Sequence, residues 1–366
     1  MKPTERIPCI LFAAANTADG FYSCFGDVFS PERWEKVYII KGGPGTGKSG
    51  FLRAVGAEAE RLGKAVRYYA CSSDPDSLDG VVIPELHTAF FDGTAPHAAE
   101  PRYPGAVEEI LNMGMFFDTK RLQREAGHIR ELQAQYGEAQ RLSSRYLRAA
   151  GEMRRTERVL VSGTFSAEKM RRAAQKLLDG IPTEEEPLCT VRFLTAVGKS
   201  GVRHLDTARM LAWRYVPVSD RRRCASVFLN VLVRTAEERG ISCIRFADYL
   251  CPEDTEGCYI PAIGLYVGSD RYEKPEIQGT LCGEKMINPD RFMDPALYAA
   301  CRARFRFTCR CEDALTEGAC GALSAAGELH DALEAIYKAA MDFSEKEAFT
   351  ARFLARLFPQ KAKTKK

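Results

Sequence analysis

No uninterrupted apolar run in the 366-residue sequence is long enough to span a bilayer, so no transmembrane helix is expected. The opening, MKPTERIPCILFAAANTADG, holds only a short apolar patch, and IPCILFAAA reads as a strand rather than a signal-peptide core. Cysteine is plentiful, yet none of the thirteen forms a Cys-x-x-Cys pair. The tightest spacing is Cys309-Arg310-Cys311, with Cys301 and Cys320 nearby; zinc sites usually show clearer pairing, so free thiols in a reducing compartment are expected. A net charge of +3 is too small to imply a nucleic-acid partner, and the ending KAKTKK reads as a solvated tail. No Asn-Lys-x-Asp string is present to recognise guanine. With 45% apolar and 28% charged residues, the expectation is a cytoplasmic globular protein without a membrane partner, of two to three domains by its length.

One eight-residue stretch carries most of the chemistry. GGPGTGKS (42–49) matches G-x-x-x-x-G-K-[ST], and it stands between an apolar strand pattern (Val37, Ile39, Ile40) and a helical one (Phe51, Leu52, Val55, Ala59, Leu62). That order is what a phosphate-binding loop needs. Gly42, Gly43, Gly45 and Gly47 let the chain curl its N–H groups toward one point, Pro44 stiffens the turn, and Thr46 completes the loop. The following helix aims its positive end at the same point. Lys48 is expected to reach the β- and γ-phosphates of a nucleotide, and Ser49 to place its hydroxyl on Mg²⁺.

A carboxylate for the metal is expected at the end of a neighbouring strand, and LHTAFFDG offers Asp92; the plainer alternative is an Asp-Gly turn. Between loop and Asp92, the strand Val66–Ala70 ends in a cluster of Cys71, Ser72, Ser73, Asp74, Asp76 and Asp79. Asp74 and Glu85 are the candidates for polarising an attacking water, against the alternative that DPDSLDG is only a capped turn. His97 follows the Asp92 strand and is a candidate to line the site.

The chain also repeats itself. At a fixed offset of 177 without gaps, ten of the 42 positions in 51–92 are identical in 228–269, among them Gly63/Gly240, Pro75/Pro252, Gly80/Gly257 and Pro84/Pro261. ILNMGMFFD (110–118) returns as MINPDRFMD (286–294). Positions serving turns and packing are kept, whereas those serving chemistry are not: Lys48 is matched by Ala225, Gly47 by Cys224, Gly45 by Arg222, Glu85 by Ala262 and Asp92 by Ser269. The second loop, SDRRRCAS (219–226), has bulky arginines where the first has Pro-Gly-Thr. One reading makes Arg221, Arg222 or Arg223 an arginine finger for the first site; the plainer one is a solvated basic turn. The string VGKSG (197–201) lacks the upstream glycine and is set aside. Each copy is followed by an amphipathic helical pattern, 119–158 with Leu122, Ile129, Leu132, Tyr136 and Leu142 on one face, and 323–358. GIPTEEEP (180–187) is the best linker.

GGPGTGKS, CSSDPDSLDGVVIPEL, DGTAPH with YPGAVEEI, and LHDALEAIYKAAMDFSEKE together resemble a bacterial family of duplicated P-loop ATPases, over nearly the whole chain. Both copies ordinarily carry a P-loop in that family. This chain departs from it at SDRRRCAS, and Gly50 replaces the usual threonine after GKS. The resemblance implies ATP binding and hydrolysis with Mg²⁺.

The expected fold is therefore α/β, with two tandem P-loop NTPase-like domains of mostly parallel sheets flanked by helices. Residues 1–118 form the domain with the intact loop, 119–185 a helical segment and linker, 186–320 the degenerate repeat, and 321–366 a C-terminal helical segment and basic tail. The leading function is a Mg²⁺-dependent ATPase whose second copy is structural or regulatory, with a protein partner met through the helical segments. The alternatives are a small-molecule or nucleotide kinase, with Arg121, Arg124 and Arg130 as lid residues, and a non-catalytic nucleotide sensor.

Overall fold

The computed structural model describes residues 9–272 and 285–359; Cys282, the side chain of Cys9 and the tail 361–366 lie outside what is described. The first part of the chain forms β1 (Cys9–Phe12), β2 (Ala14–Thr17), β3 (Gly20–Ser23), α1 (Phe25–Val28), β4 (Lys36–Lys41), α2 (Lys48–Arg61), β5 (Arg67–Ala70), β6 (Leu78–Ile83), β7 (Thr88–Asp92) and β8 (Glu108–Asn112), then α3 (Thr119–Arg124), α4 (Ala126–Ser162) and α5 (Ala167–Leu178). The second part forms β9 (Cys189–Arg192), β10 (Thr195–Gly198), β11 (Gly201–His204), α6 (Thr207–Leu211), β12 (Arg214–Val218), α7 (Ala225–Glu238), β13 (Cys243–Ala247), β14 (Thr255–Ile260) and β15 (Leu265–Ser269), then α8 (Pro295–Ala339) and α9 (Phe343–Leu357).

The class is α/β, but the sheets are mixed rather than mostly parallel. The first is ordered β1-β5-β6-β7-β4-β8 and the second β12-β15-β14-β13-β9. β4 runs parallel to β7 and β8, while β6 is antiparallel to both β5 and β7. The second sheet repeats this pattern: β12 is parallel to β15, and β14 is antiparallel to β13 and β15. The reason is local. The connections 71–77 and 84–87 are too short for a crossover, so the chain must double back on itself.

The kept residues now have reasons. Gly63 and Gly240 end α2 and α7 with φ of 72° and 66°, the left-handed stop that glycine adopts without strain. Pro84 and Pro261 open matching 3₁₀ turns. A Cβ at Gly80 would run into the Phe29 ring, and one at Gly257 would meet Tyr266, so both strands need a bare backbone there. VGKSG falls in the turn between β10 and β11, with no helix after it.

The compact units are discontinuous, unlike the four consecutive segments expected. One comprises residues 1–10, 25–140 and 324–366; the other comprises 11–24 and 141–323. Each unit takes its closing helix from the other repeat. In the first, α9 packs on α2, with Phe353 and Phe358 buried among Phe51, Leu52, Val55 and Phe90. In the second, α5 packs on α7, with Met170, Ala174 and Leu178 buried among Phe228, Leu229 and Leu232. Equivalent bridges precede the two helices, Phe117 with Met341 and Phe165 with Met293. The second long helix begins at Pro295, well before the expected 323, because Cys301, Phe305, Thr308, Glu312 and Ala319 bury one helical face.

Phe353 meets the rings of Tyr38 and Phe51 at 5.1 and 5.3 Å. Phe353→Ala should therefore cost about 3–5 kcal/mol. Hydrogen exchange should show α2 amides losing protection while α7 amides keep theirs; equal loss in both helices would contradict this division.

Candidate functional site

The loop between β4 and α2 is the candidate site, and it is built from the sheet upward. β4 carries buried Val37, Tyr38, Ile39 and Ile40 into the loop, and α2 starts at Lys48 with its apolar face on the sheet. Gly45 and Gly47 take φ of 71° and 74°, left-handed values that turn the chain into the helix. Thr46 is buried, its hydroxyl donating to the Gly43 carbonyl at 2.9 Å. The Lys48 ammonium donates to the Gly42 and Gly43 carbonyls at 3.0 and 2.9 Å. No side chain caps the first turn of α2.

Asp92 lies where the metal reading expects it, at the C-terminal end of β7 beside β4, with Oδ2 3.5 Å from the Lys48 ammonium. Its Oδ1 accepts from the Thr94 N–H and hydroxyl at 2.9 and 2.6 Å, which fixes the carboxylate. Asp92 thus makes the turn of the plainer reading through Oδ1, with Oδ2 beside Lys48. Ser49 is tied to the neighbouring connection by accepting from the Leu78 N–H at 2.9 Å. Two oxygen donors, a fixed carboxylate and a hydroxyl on adjoining elements, suit a hard cation. No cluster of three or more His, Cys, Asp or Glu able to hold a metal occurs among the described residues, and Cys301, Cys309, Cys311 and Cys320 form no disulfide.

The two water-polarising candidates separate. Asp74 stays in the turn beside α2, where its carboxylate accepts from the Ser77 hydroxyl at 3.3 Å. Glu85 does not join the site. β6 runs opposite to β4 and β7, so the 3₁₀ turn carrying Glu85 leaves the sheet at the end away from the loop. The acid that does reach the loop end is Asp79. Tyr69 pairs with Gly80 and Ala70 with Leu78, leaving Asp79 as the extra residue of a β-bulge, a device that re-aims a side chain. Asp79 is buried, with Oδ2 3.3 Å from His97 Nε2, and His97 stacks on Phe25 at 4.1 Å. Burial and the neighbouring Asp79 charge push the Cys71 thiol far above its ordinary pKa. The signal for this bulge was an acid followed by glycine inside a strand pattern, and it is repeated as Glu256-Gly257 in β14.

The C-terminal elbow covers the loop. A Cβ at Gly43 would stand 3.4 Å from the Tyr337 ring, and one at Gly45 would stand 2.9 Å from both the Glu334 carbonyl and Lys338 Cγ. Arg121, Arg124 and Arg130 are exposed.

The second loop meets the same helix geometry differently. Asp220 Oδ1 accepts from the Ala225 N–H at 2.8 Å, so a half-buried carboxylate of the loop itself occupies the start of α7. Arg223 sits at a left-handed φ of 52° and is spent on Glu312 at 2.9 Å and on Asp313. Arg222 pairs with Asp290 and lies over the Tyr298 ring, and Arg221 is exposed. Arg222 and Arg223, proposed as fingers from sequence, thus have partners within their own unit. Arg154 completes the cluster, bidentate to Glu312 at 2.9 and 2.6 Å and bonded to Asp248 at 3.0 Å.

No protein-family model, curated protein or solved structure matches the chain.

In the second unit, Glu157 lies buried beside Glu312, Arg154, Arg223 and Cys309; burial first, then the Glu312 charge, pushes its carboxyl up to about 7 from an ordinary 4.5. A group bound more tightly to its proton when folded stabilises below 4.5 and loses that contribution as pH rises to 7. Between pH 5 and 8 the protein should lose stability relative to Glu157→Gln. Parallel unfolding profiles for the two would refute this.

Proposed function

We propose that the chain is a Mg²⁺-dependent nucleoside triphosphatase acting on ATP, with one nucleotide site at residues 42–49. One observation carries the reading. A glycine-rich loop with left-handed turns at Gly45 and Gly47 leads into an uncapped helix start, and Lys48 lies between the loop carbonyls and Asp92. Lone glycine turns do not need that lysine or that carboxylate. Five strands of the first sheet recur in the same order in the second, which supports a duplicated P-loop ancestry of the kind the sequence resembles.

In this reading the loop amides and the positive end of α2 bind the phosphate chain. The Lys48 ammonium exchanges its carbonyl acceptors for phosphate oxygens, and Thr46, buried under the loop, fixes its curvature. Ser49 and Asp92 are the residues that would hold Mg²⁺, which when bound neutralises charge on the β- and γ-phosphates. Asp74 and Asp79 are the carboxylates left to orient water for attack on the γ-phosphorus. The second unit takes no nucleotide, because Asp220 already meets its helix start, and serves as a structural or partner-binding body. Free thiols among the described cysteines fit a reducing cytoplasmic setting.

Titration with MgATP should give one equivalent per chain, and phosphate release should occur without any acceptor, which separates hydrolysis from a kinase. Lys48→Ala should weaken binding by about 10- to 100-fold, the loss of a charged hydrogen bond to phosphate. Asp79→Asn or Asp74→Asn should remove turnover while keeping binding. Binding with no turnover in the wild type would leave a sensor, and a stoichiometry of two would overturn the assignment of the second loop.

A further inference from the structure

The C-terminal helix places one cation against the loop that local structure does not explain. Lys346 lies in the first turn of α9, after the Asp342 cap. A positive side chain there opposes the helix dipole. Its ammonium has no ion pair or side-chain hydrogen bond among the described residues, and Lys346 is half-buried. Burial pushes its pKa below the ordinary lysine value, with exposed Glu347 only partly opposing. A fold choosing this residue for stability would gain more from an acid or an apolar side chain.

What Lys346 faces is the turn from loop into helix. A Cβ at Gly47 would stand 3.3 Å from Lys346 Cε and 3.4 Å from its Nζ, and one at Gly50 would stand 3.8 Å from Nζ. Both neighbours are glycine, so nothing but backbone separates the ammonium from the first turn of α2. Gly50 has no side chain to close that approach.

The other unit supplies an internal control. The cap Ser166 of α5 accepts from the Lys169 N–H as Asp342 of α9 accepts from the Glu345 N–H, which aligns Lys346 with Met170. Met170 is buried in the apolar core. So the unit whose loop keeps Lys48 has a lysine on its closing helix, and the unit whose loop has Ala225 has a methionine there. The two units thus differ at both positions, on different helices.

We propose that Lys346 is a second phosphate-binding ammonium of the nucleotide site, contacting the triphosphate from the α9 side while Lys48 contacts it from the loop. This rests on the reading of residues 42–49 as a nucleotide site. It also makes α9, a helix from the end of the chain, part of the site.

The test is equilibrium binding of MgATP to the full chain and to Lys346→Met, Lys346→Arg and Lys48→Ala. Lys346→Met should weaken binding by about 10-fold or more, as loss of a charge-assisted hydrogen bond does, with an unfolding midpoint close to wild type. Lys346→Arg should restore most of it. Amine-specific acetylation of the wild-type chain gives a readout independent of any variant: MgATP should protect Lys346. Unchanged affinity in Lys346→Met, or no protection of Lys346 by saturating MgATP, would overturn the proposal while wild-type binding kept the nucleotide reading intact. Failure of the wild type to bind MgATP would instead remove the nucleotide reading and this proposal with it.

Discussion

A helix start leaves backbone N–H groups without intrahelical partners, and the organisation of both units turns on how that constraint is met. In one unit the first turn of α2 has no capping side chain and is approached by Lys48, Asp92 and Lys346. In the other, Asp220 folds back to accept from Ala225, and the loop carries its own anion. The strand before and the helix after are alike in both, and five strands of the first sheet recur in the same order in the second, which has no counterpart of β8 among the described residues. The difference lies in whether the amides are satisfied from within the chain or left facing outward. A carboxylate bonded to a helix start and a phosphate bound there are interchangeable solutions to one electrostatic problem.

The exchange of closing helices ties this local difference to the ends of the chain. α9 contributes Phe353 to the core beneath α2 and Lys346 to the surface of the loop, so packing and charge arrive on one element. The helix carrying that ammonium is fixed by three aromatic neighbours of Phe353: Tyr38, Phe51 and Phe90. The Glu334, Tyr337 and Lys338 side of the elbow lies over Gly43 and Gly45. Any rearrangement of the loop around a ligand must therefore be felt at the junction of α8 and α9.

What the sequence disclosed follows from how local each feature is. The loop, the start of α2 and Asp92 were legible because glycine, lysine and a strand-terminal acid sit within a short span whose geometry the backbone dictates. The repeat was legible because Gly63, Pro84 and their partners answer to turn geometry alone. Glu85 was misplaced for a topological reason: the strand before it doubles back, and no residue near Glu85 signals which way β6 runs. Asp79 was visible only as one acid among several, since a bulge is a pairing event between strands. Lys346 was illegible because its meaning depends on which unit α9 joins. That is decided by long-range packing of Phe353 and Phe358, not by the amphipathic pattern that announced the helix.

The charge cluster of the second unit shows what a basic loop in this position requires. Arg223, which stands where the first loop has Thr46, brings a cation into a largely buried region, and a buried cation is tolerated only when paired. Arg154 and Arg223 share Glu312, which is 1% exposed, and their attraction holds its carboxyl below the usual range. Glu157, next to it, moves the other way because its burial, and then the charge of Glu312, outweigh the attraction of Arg154 and Arg223. Two carboxylates cannot both ionise cheaply beside the same guanidinium groups. The cluster is thus a closed set: removing any one member strands another as an unpaired buried charge, which typically costs about 3–5 kcal/mol. A loop bound into such a set is held by its own charges, in contrast to the glycine-rich loop of the first unit.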